Sequence, residues 1–377
     1  LVFSPKGAGP HYYGPGISAY RMYEHLKRDN ISVSLAHGYQ GQAETKVFQD
    51  HFYISDLEKL NLLTGINFFL KAKKWVKNNA RKFDVLHCLS AFHPSFLFAV
   101  WFEQMGTPSV IKISESKYTG FNESSSISNL LGLKKYRLKH SNLISGYISI
   151  SSEIRNNLMS AGIEGHKIYD IPNGVDISRF KPVSEKQKKA LRNKLGLDNK
   201  FTVLFTGSFS DRKNPYLIAK AFKAFANSDK IQLLLVGPDR DEGKQRTLIQ
   251  KFIQENSIYN IYLIDFVEHI EYYYQASDIF VLPSNQEGLS NSMLEAQASG
   301  LPAIVTSISG AVDLIDEQEN GIFTDRNEES VKNAIREYYT DAEKLRNHSL
   351  AARKKIVDNY SNEKILNEHL QLFEKLK

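Results

Sequence analysis

A single cysteine, Cys88, occurs in the 377 residues. It excludes an internal disulfide and suits a reducing compartment, so the chain must hold itself together by packing. Long hydrophobic runs are also missing. The longest, such as FLFAVWF, fall well short of the roughly 20 apolar residues that span a bilayer. No methionine opens the chain, and LVFSPKGAG reads directly as a strand. Neither a signal peptide nor an intact start is recognisable, and residues are expected before Leu1 in the natural protein. No GxxxxGK[ST] loop and no GxSxG elbow occurs, which leaves a P-loop nucleotidase and a serine hydrolase unsupported. Solenoid repeats, low-complexity tracts and Pro-rich linkers are absent as well.

The composition is ordinary for a globular protein, 42% hydrophobic and 24% charged, so disorder does not dominate. At about 100 to 200 residues per domain, the length predicts two domains. The net charge of +6 is modest but unevenly placed. Between Glu58 and Asp84 there is no acidic residue, while Lys71, Lys73, Lys74, Lys77, Arg81 and Lys82 crowd a helical pattern that also carries Phe68, Phe69, Leu70, Trp75 and Val76. KKYRLKH at 134–140 adds a second basic cluster. A solvated helix face explains both. The alternative is attraction to anionic lipid headgroups, worth about 1 kcal/mol per basic residue. No nucleic-acid motif accompanies the charge, and no nucleic-acid partner is expected.

Short β-rich runs alternate with longer helical patterns throughout. LVFSP, ISVSLAH, FDVLHCL, PSVIKI, YISIS and KIYDIP are strand candidates in the first half, and FTVLFTG, IQLLLVG, IYLIDF, IFVLPS, PAIVTS and GIFTD in the second. This alternation predicts an α/β protein of two doubly wound parallel-sheet domains facing a central cleft. The polar stretch DISRFKPVSEKQKKALRNKLGLDNK marks the break. Domains are expected at 1–178 and 179–360, with an amphipathic helix at 361–377 returning to the first.

Five stretches hold candidate chemistry. In EGLSNSMLEA, Glu287 and Glu295 stand eight residues apart, which overshoots two helical turns by roughly 80°. One continuous helix cannot pair them. A loop bearing Glu287 and Gly288, feeding a helix that starts near Ser290 or Ser292, places both carboxylates around a helix N-terminus, a site suited to anions. The competing explanation is a capping box, Ser292 to Glu295, with Glu295 merely satisfying the helix start. In GSFSDRKNP, Arg212 and Lys213 follow a strand and precede a helix. They are either a solvated pair or holders of a diphosphate, arginine through its fork and lysine as a point charge. Gly14-Pro-Gly16-Ile-Ser-Ala19 matches the loose dinucleotide fingerprint, but the acidic residue expected about 20 positions later is missing, which disfavours a nicotinamide or flavin enzyme. Asp239 and Asp241 form a DxD of little specificity, and His87 and His93 lack the further ligands a zinc site needs; both histidines read as packing or cleft-lining residues.

Taken in order, YDIPNGVDISRF, GSFSDRKNP and IDFVEHIEYYYQASDIFVLPSNQEGLSNSMLEAQASGLPAIVTSISGAVDLIDEQENGIF resemble the family 4 glycosyltransferases of GT-B architecture. The resemblance is strong from Ile148 to Asp325 and faint before it. It implies a retaining transfer without metal or cofactor, from a nucleotide-diphosphate sugar, with a UDP-sugar favoured. It further implies that Glu287 faces the donor sugar and that Glu295 holds the ribose hydroxyls. Backbone amides of Leu289, Ser290 and Asn291 meet sugar and phosphates, while Lys213 and Arg212 neutralise the diphosphate beside Gly207 and Ser208. Val267 lines the base pocket, and Gly16 with Ile17 closes over the phosphates. Two departures stand out. Ser208 replaces the arginine that many members carry after the glycine, and Ser114, with Lys112 and Glu115 nearby, replaces a histidine near the donor sugar. The implied acceptor is a glycan or lipid-linked glycan of cell-surface polysaccharide or lipopolysaccharide. A cytoplasmic enzyme, peripheral on the inner face of the membrane, is the matching expectation. A nucleotide-sugar epimerase of similar fold and a non-catalytic nucleotide-sugar binder are the rivals.

Overall fold

The computed structural model describes residues 1–9, 14–26, 30–43, 45–57, 62–114, 133–308 and 310–377, without the side chains of 62, 133, 134 and 241. The chain forms two compact units, Leu1–Gly174 with Asn362–Lys377, and Val175–Ser361.

Among the described residues the first unit holds seven strands: β1 (Val2–Ser4), β2 (Leu35–His37), β3 (His51–Tyr53), β4 (Leu86–Cys88), β5 (Ser109–Ile113), β6 (Gly146–Ser149) and β7 (Ile168–Asp170). They lie in the order β3-β2-β1-β4-β5-β6-β7, and every pairing is parallel. Parallel strands need crossover connections, and helices such as Gly14–Tyr23, Leu62–Asn79 and His93–Gln104 supply them. Phe3 on β1 stacks on Phe98 at 4.2 Å between ring centroids and meets Phe68 at 6.3 Å. Those two rings come from helices Leu62–Asn79 and His93–Gln104, so one strand residue fixes both helices to the sheet.

Helix Leu62–Asn79 buries Phe68, Ala72 and Val76, one residue per turn, and leaves Leu63, Ile66, Phe69 and Leu70 exposed beside its lysines. Trp75 does not join that outer face. It lies against Phe52, Phe83 and Phe98, with centroids 5.3 to 6.3 Å away. The amphipathic tail is the helix Asn362–Leu376. Its Ile365, Leu366, Leu370 and Leu372 pack in one cluster with Met22, Tyr23 and Leu35 of the first unit.

The second unit holds β8 (Phe201–Thr206), β9 (Ile231–Val236), β10 (Ile261–Ile264), β11 (Ile279–Leu282), β12 (Ala303–Thr306) and β13 (Gly321–Thr324). Their order is β10-β9-β8-β11-β12-β13, again all parallel. β9 is buried at all six positions, as a strand covered on both faces requires. The strand order reverses between β8 and β11, whose register pairs Ile279 with Val203. Open α/β sheets bind ligands outside the carboxyl ends of the strands at such a reversal.

Candidate functional site

Both strands at this reversal end in candidate residues. β8 runs into the loop Gly207–Asn214 and then helix Pro215–Phe222. β11 runs into the loop that carries Glu287, then helix Asn291–Ala298. Asn285 clamps the loops together through its backbone and its side chain. The Asn285 amide donates to the Arg212 carbonyl at 2.7 Å, and the Asn285 side chain donates to the Asp211 carbonyl at 2.7 Å.

The clamp brings three charges to one point. Arg212 Nη1 and Lys213 Nζ each lie 2.8 Å from the same oxygen, Glu287 Oε1. Arg212 also donates to the Gln286 carbonyl at 2.9 Å. Glu287 and Lys213 are buried and Arg212 is about half exposed. Burial pushes the Glu287 carboxyl up, but Lys213 and Arg212 outweigh it and hold the group below the usual glutamate range. The cluster retains one net positive charge at the carboxyl end of a parallel sheet.

Glycines allow the approach. A Cβ on Gly207 would sit 3.5 Å from the Lys213 stem, and one on Gly237 would lie 2.0 Å from the Gly207 carbonyl oxygen. Gly310 is the other close contact. Its φ is +70°, and a Cβ there would fall 2.1 Å from the Gly288 oxygen and 2.9 Å from Leu289 Cα. Its backbone therefore presses directly on the loop between Glu287 and the following helix. Nothing in the periodicity of SISGAVDLI singles out that role.

The helix beyond begins at Asn291 with Ser290 as its N-cap, and Ser290 makes no side-chain cap hydrogen bond. The capping box from Ser292 to Glu295 is thus not formed, because the helix starts before Ser292. Glu295 instead accepts from the Tyr274 hydroxyl at 3.0 Å through Oε2. That hydroxyl lies 2.5 Å from Thr206 Oγ1, at the end of β8. Leu289, Ser290 and Glu295 are buried, and Asn291 and Ser208 half-buried. Val267 follows β10, half-buried beside the exposed Phe266. Gly16 and Ile17 belong to the first unit, in the first turn of helix Gly14–Tyr23.

The remaining candidates are occupied otherwise. Asp239 pairs with Arg246 at 2.8 Å, and the Asp241 side chain lies outside the described residues. His87 is buried, its Nδ1 2.8 Å from the Tyr23 hydroxyl. His93 opens helix His93–Gln104, where burial and then Arg137 lower its pKa to about 4. Lys112 is buried on β5 and burial pulls it down to about 8, while Ser114 follows that strand half-buried. Glu115 lies outside the described residues.

Two Rossmann-like parallel-sheet units, the second with a cationic loop at its switch point, define the GT-B class. The sequence agrees: residues 187–355 match the family described as Glycosyl transferases group 1, and residues 12–179 match Glycosyltransferase Family 4. The chain belongs to this family of glycosyltransferases. The UDP-Gal:alpha-D-GlcNAc-diphosphoundecaprenol alpha-1,3-galactosyltransferase of Escherichia coli is 33% identical over 207 residues, 53% of this chain. That match spans about half, 52%, of the relative's own length. The alpha-monoglucosyldiacylglycerol synthase of Acholeplasma laidlawii is 26% identical over 72% of this chain and 71% of its own. The crystal structure of Anabaena HepE in complex with UDP superposes with a TM-score of 0.81 over 99% of both chains, at 16% identity, and so shares the fold.

Proposed function

We propose that the protein is a retaining, metal-independent glycosyltransferase. It takes a sugar from a nucleotide-diphosphate donor, a UDP-sugar in preference, and passes it to a glycan or lipid-linked acceptor of cell-surface polysaccharide or lipopolysaccharide. The observation that carries this reading is the convergence of Arg212 and Lys213 on Glu287 at the switch point. The bond from the anomeric carbon to the diphosphate breaks, its electron pair leaves with the phosphate, and the sugar gains oxocarbenium character. Arg212 and Lys213 supply fixed positive charge for that leaving group. A carboxylate held by two cations is a weak nucleophile, which favours same-face attack by the acceptor hydroxyl over a covalent glycosyl-enzyme. The leaving phosphate oxygen then takes the acceptor's proton. Glu287 faces the donor sugar, and Leu289, Ser290 and Asn291 offer amides at the helix start. Glu295 holds the ribose and Val267 the base.

The relatives' names support the substrate class: one includes UDP-Gal and diphosphoundecaprenol, the other diacylglycerol. No helix among the described residues is long and apolar enough to cross a membrane. A peripheral position on an anionic membrane, on its cytoplasmic face, is supported by the outer face of helix Leu62–Asn79, where Leu63, Ile66 and Leu70 are exposed beside lysines.

A calorimetric panel of UDP-, GDP- and ADP-sugars with EDTA present tests the donor site. Saturable binding of one nucleotide is expected in the wild type, weakened about tenfold or more in Glu295→Ala, by loss of a charged hydrogen bond. A folded wild type that binds none of them overturns the reading.

A further inference from the structure

The aromatic side chain between the two strand ends at the switch point has no role in the mechanism above. Tyr274 is fully buried in helix Ile270–Ala276, wedged between Phe180 at 5.7 Å and Phe280 at 6.1 Å. Its hydroxyl lies among polar atoms at the end of β8 and the start of helix Asn291–Ala298. Glu295 Oε2 lies at 3.0 Å, Thr206 Oγ1 at 2.5 Å and the Ser292 carbonyl at 3.2 Å.

A phenol has one proton to donate, and a carboxylate oxygen accepts but does not donate. The Tyr274 proton therefore goes toward Glu295, its nearer and stronger acceptor, with the Ser292 carbonyl receiving at most a share. Thr206 then donates to the phenolic oxygen. The result is a directed chain from the end of β8 through Tyr274 to Glu295 in the second turn of helix Asn291–Ala298. A glutamate has three rotatable bonds, and pinning Oε2 from a ring that cannot move selects one conformation. The position of the remaining oxygen is set with it.

We infer that Tyr274 is a positioning residue for donor recognition: its hydroxyl, itself oriented by Thr206, holds Glu295 in the conformation that receives the ribose hydroxyls of a nucleoside diphosphate. This assignment rests on the donor reading of Glu295 given above. It places ribose recognition under the control of a residue with no access to the ligand.

The discriminating measurement is a ratio. Among UDP, GDP and ADP, the one that the wild type binds most tightly is titrated calorimetrically alongside its 2′,3′-dideoxy analogue. The wild type is expected to favour the ribose form by about tenfold or more. In Tyr274→Phe, which keeps the ring and removes only the hydroxyl, that preference falls to threefold or less while affinity for the dideoxy analogue is unchanged. Thr206→Val, a milder change, is expected to reduce the preference partway, and it decides the matter if Tyr274→Phe does not fold. A purely structural role lowers affinity for both ligands together and overturns the assignment, as does a preference retained in both variants. Failure of the wild type to bind any of the three nucleotides overturns the donor reading and this assignment together; binding with normal discrimination in the variants overturns this assignment alone.

Discussion

Glu287 occupies the place where a diphosphate would most profit from Arg212 and Lys213, because its Oε1 takes both cations at 2.8 Å. On the proposed reading the carboxylate competes with the leaving group for the same charges as well as facing the sugar. Glu287→Gln keeps the shape and removes the charge. The buried Lys213 is then left without its counter-ion, and breaking such a pair typically destabilises by about 3–5 kcal/mol. An incoming diphosphate relieves that cost. The variant is thus expected to melt lower when empty, to gain more from UDP or another bound nucleoside diphosphate in a thermal-shift series, and to bind it severalfold tighter. Its turnover should drop by about 10²–10³-fold, comparable to loss of one fixed electrostatic contact. Weaker nucleotide binding in Glu287→Gln than in the wild type would show that the carboxylate does not compete for these cations.

At the level of elements, helix Leu62–Asn79 divides its residues by turn: Phe68, Ala72 and Val76 inward, Leu63, Ile66 and Leu70 outward with Lys71, Lys73, Lys74 and Lys77 around them. An outer face of that kind fits an anionic bilayer through area and charge together. Co-sedimentation with vesicles containing anionic lipid at low salt is expected, with little binding to zwitterionic vesicles. Replacing Lys73, Lys74 and Lys77 by glutamate should abolish it without changing nucleotide affinity, and indifference to vesicle charge would remove the membrane reading. The sequence read this stretch as a basic helix and set Phe68, Phe69, Leu70, Trp75 and Val76 together among its lysines, without dividing them between faces. Periodicity reports which residues share a face, and a half-buried ring at its border is assigned only by its partners, here Phe52, Phe83 and Phe98. Twelve strands were legible as apolar runs; β3 was not, because His51-Phe-Tyr53 is three residues long at a sheet edge with no apolar run. The candidate site shows the same division. Arg212, Lys213, Glu287 and Glu295 stand out as charges at strand exits, whereas Tyr274 and Gly310 act through distant partners. A tyrosine among three in a row, and a glycine in a small-residue loop, carry no local mark of a buried hydroxyl contact or of a 2.1 Å approach.

Across the whole molecule buried histidines gather in the first unit, with His348 their counterpart in the second, also lowered by burial. His37, His87, His93 and His369 all lie in the first unit, and burial lowers every one of them, His37 and His93 to about 4 and His369 to about 3, with His87 well below its usual range. His369 Nδ1 donates to the Ile365 carbonyl, which fixes its neutral tautomer, and its ring lies 5.4 Å from that of His87. Lys112 adds a positive charge that disfavours protonation of both. No carboxylate is among the influences on either ring. With the folded pKa depressed, the unfolded chain binds more protons below about pH 6.5, so stability falls as pH drops from there toward the folded values. For fully buried His87 and His369 the loss by pH 5 is about 2 kcal/mol each. Both tryptophans, Trp75 and Trp101, are in this same unit, so intrinsic fluorescence reports its unfolding apart from that of Val175–Ser361. Urea titrations followed by fluorescence should show the midpoint falling steeply between pH 7 and 5, and His87→Gln with His369→Gln should flatten that dependence. A midpoint independent of pH over this range would mean that both rings are already able to take a proton in the folded state, against the packing of Asn362–Leu376 on the first unit.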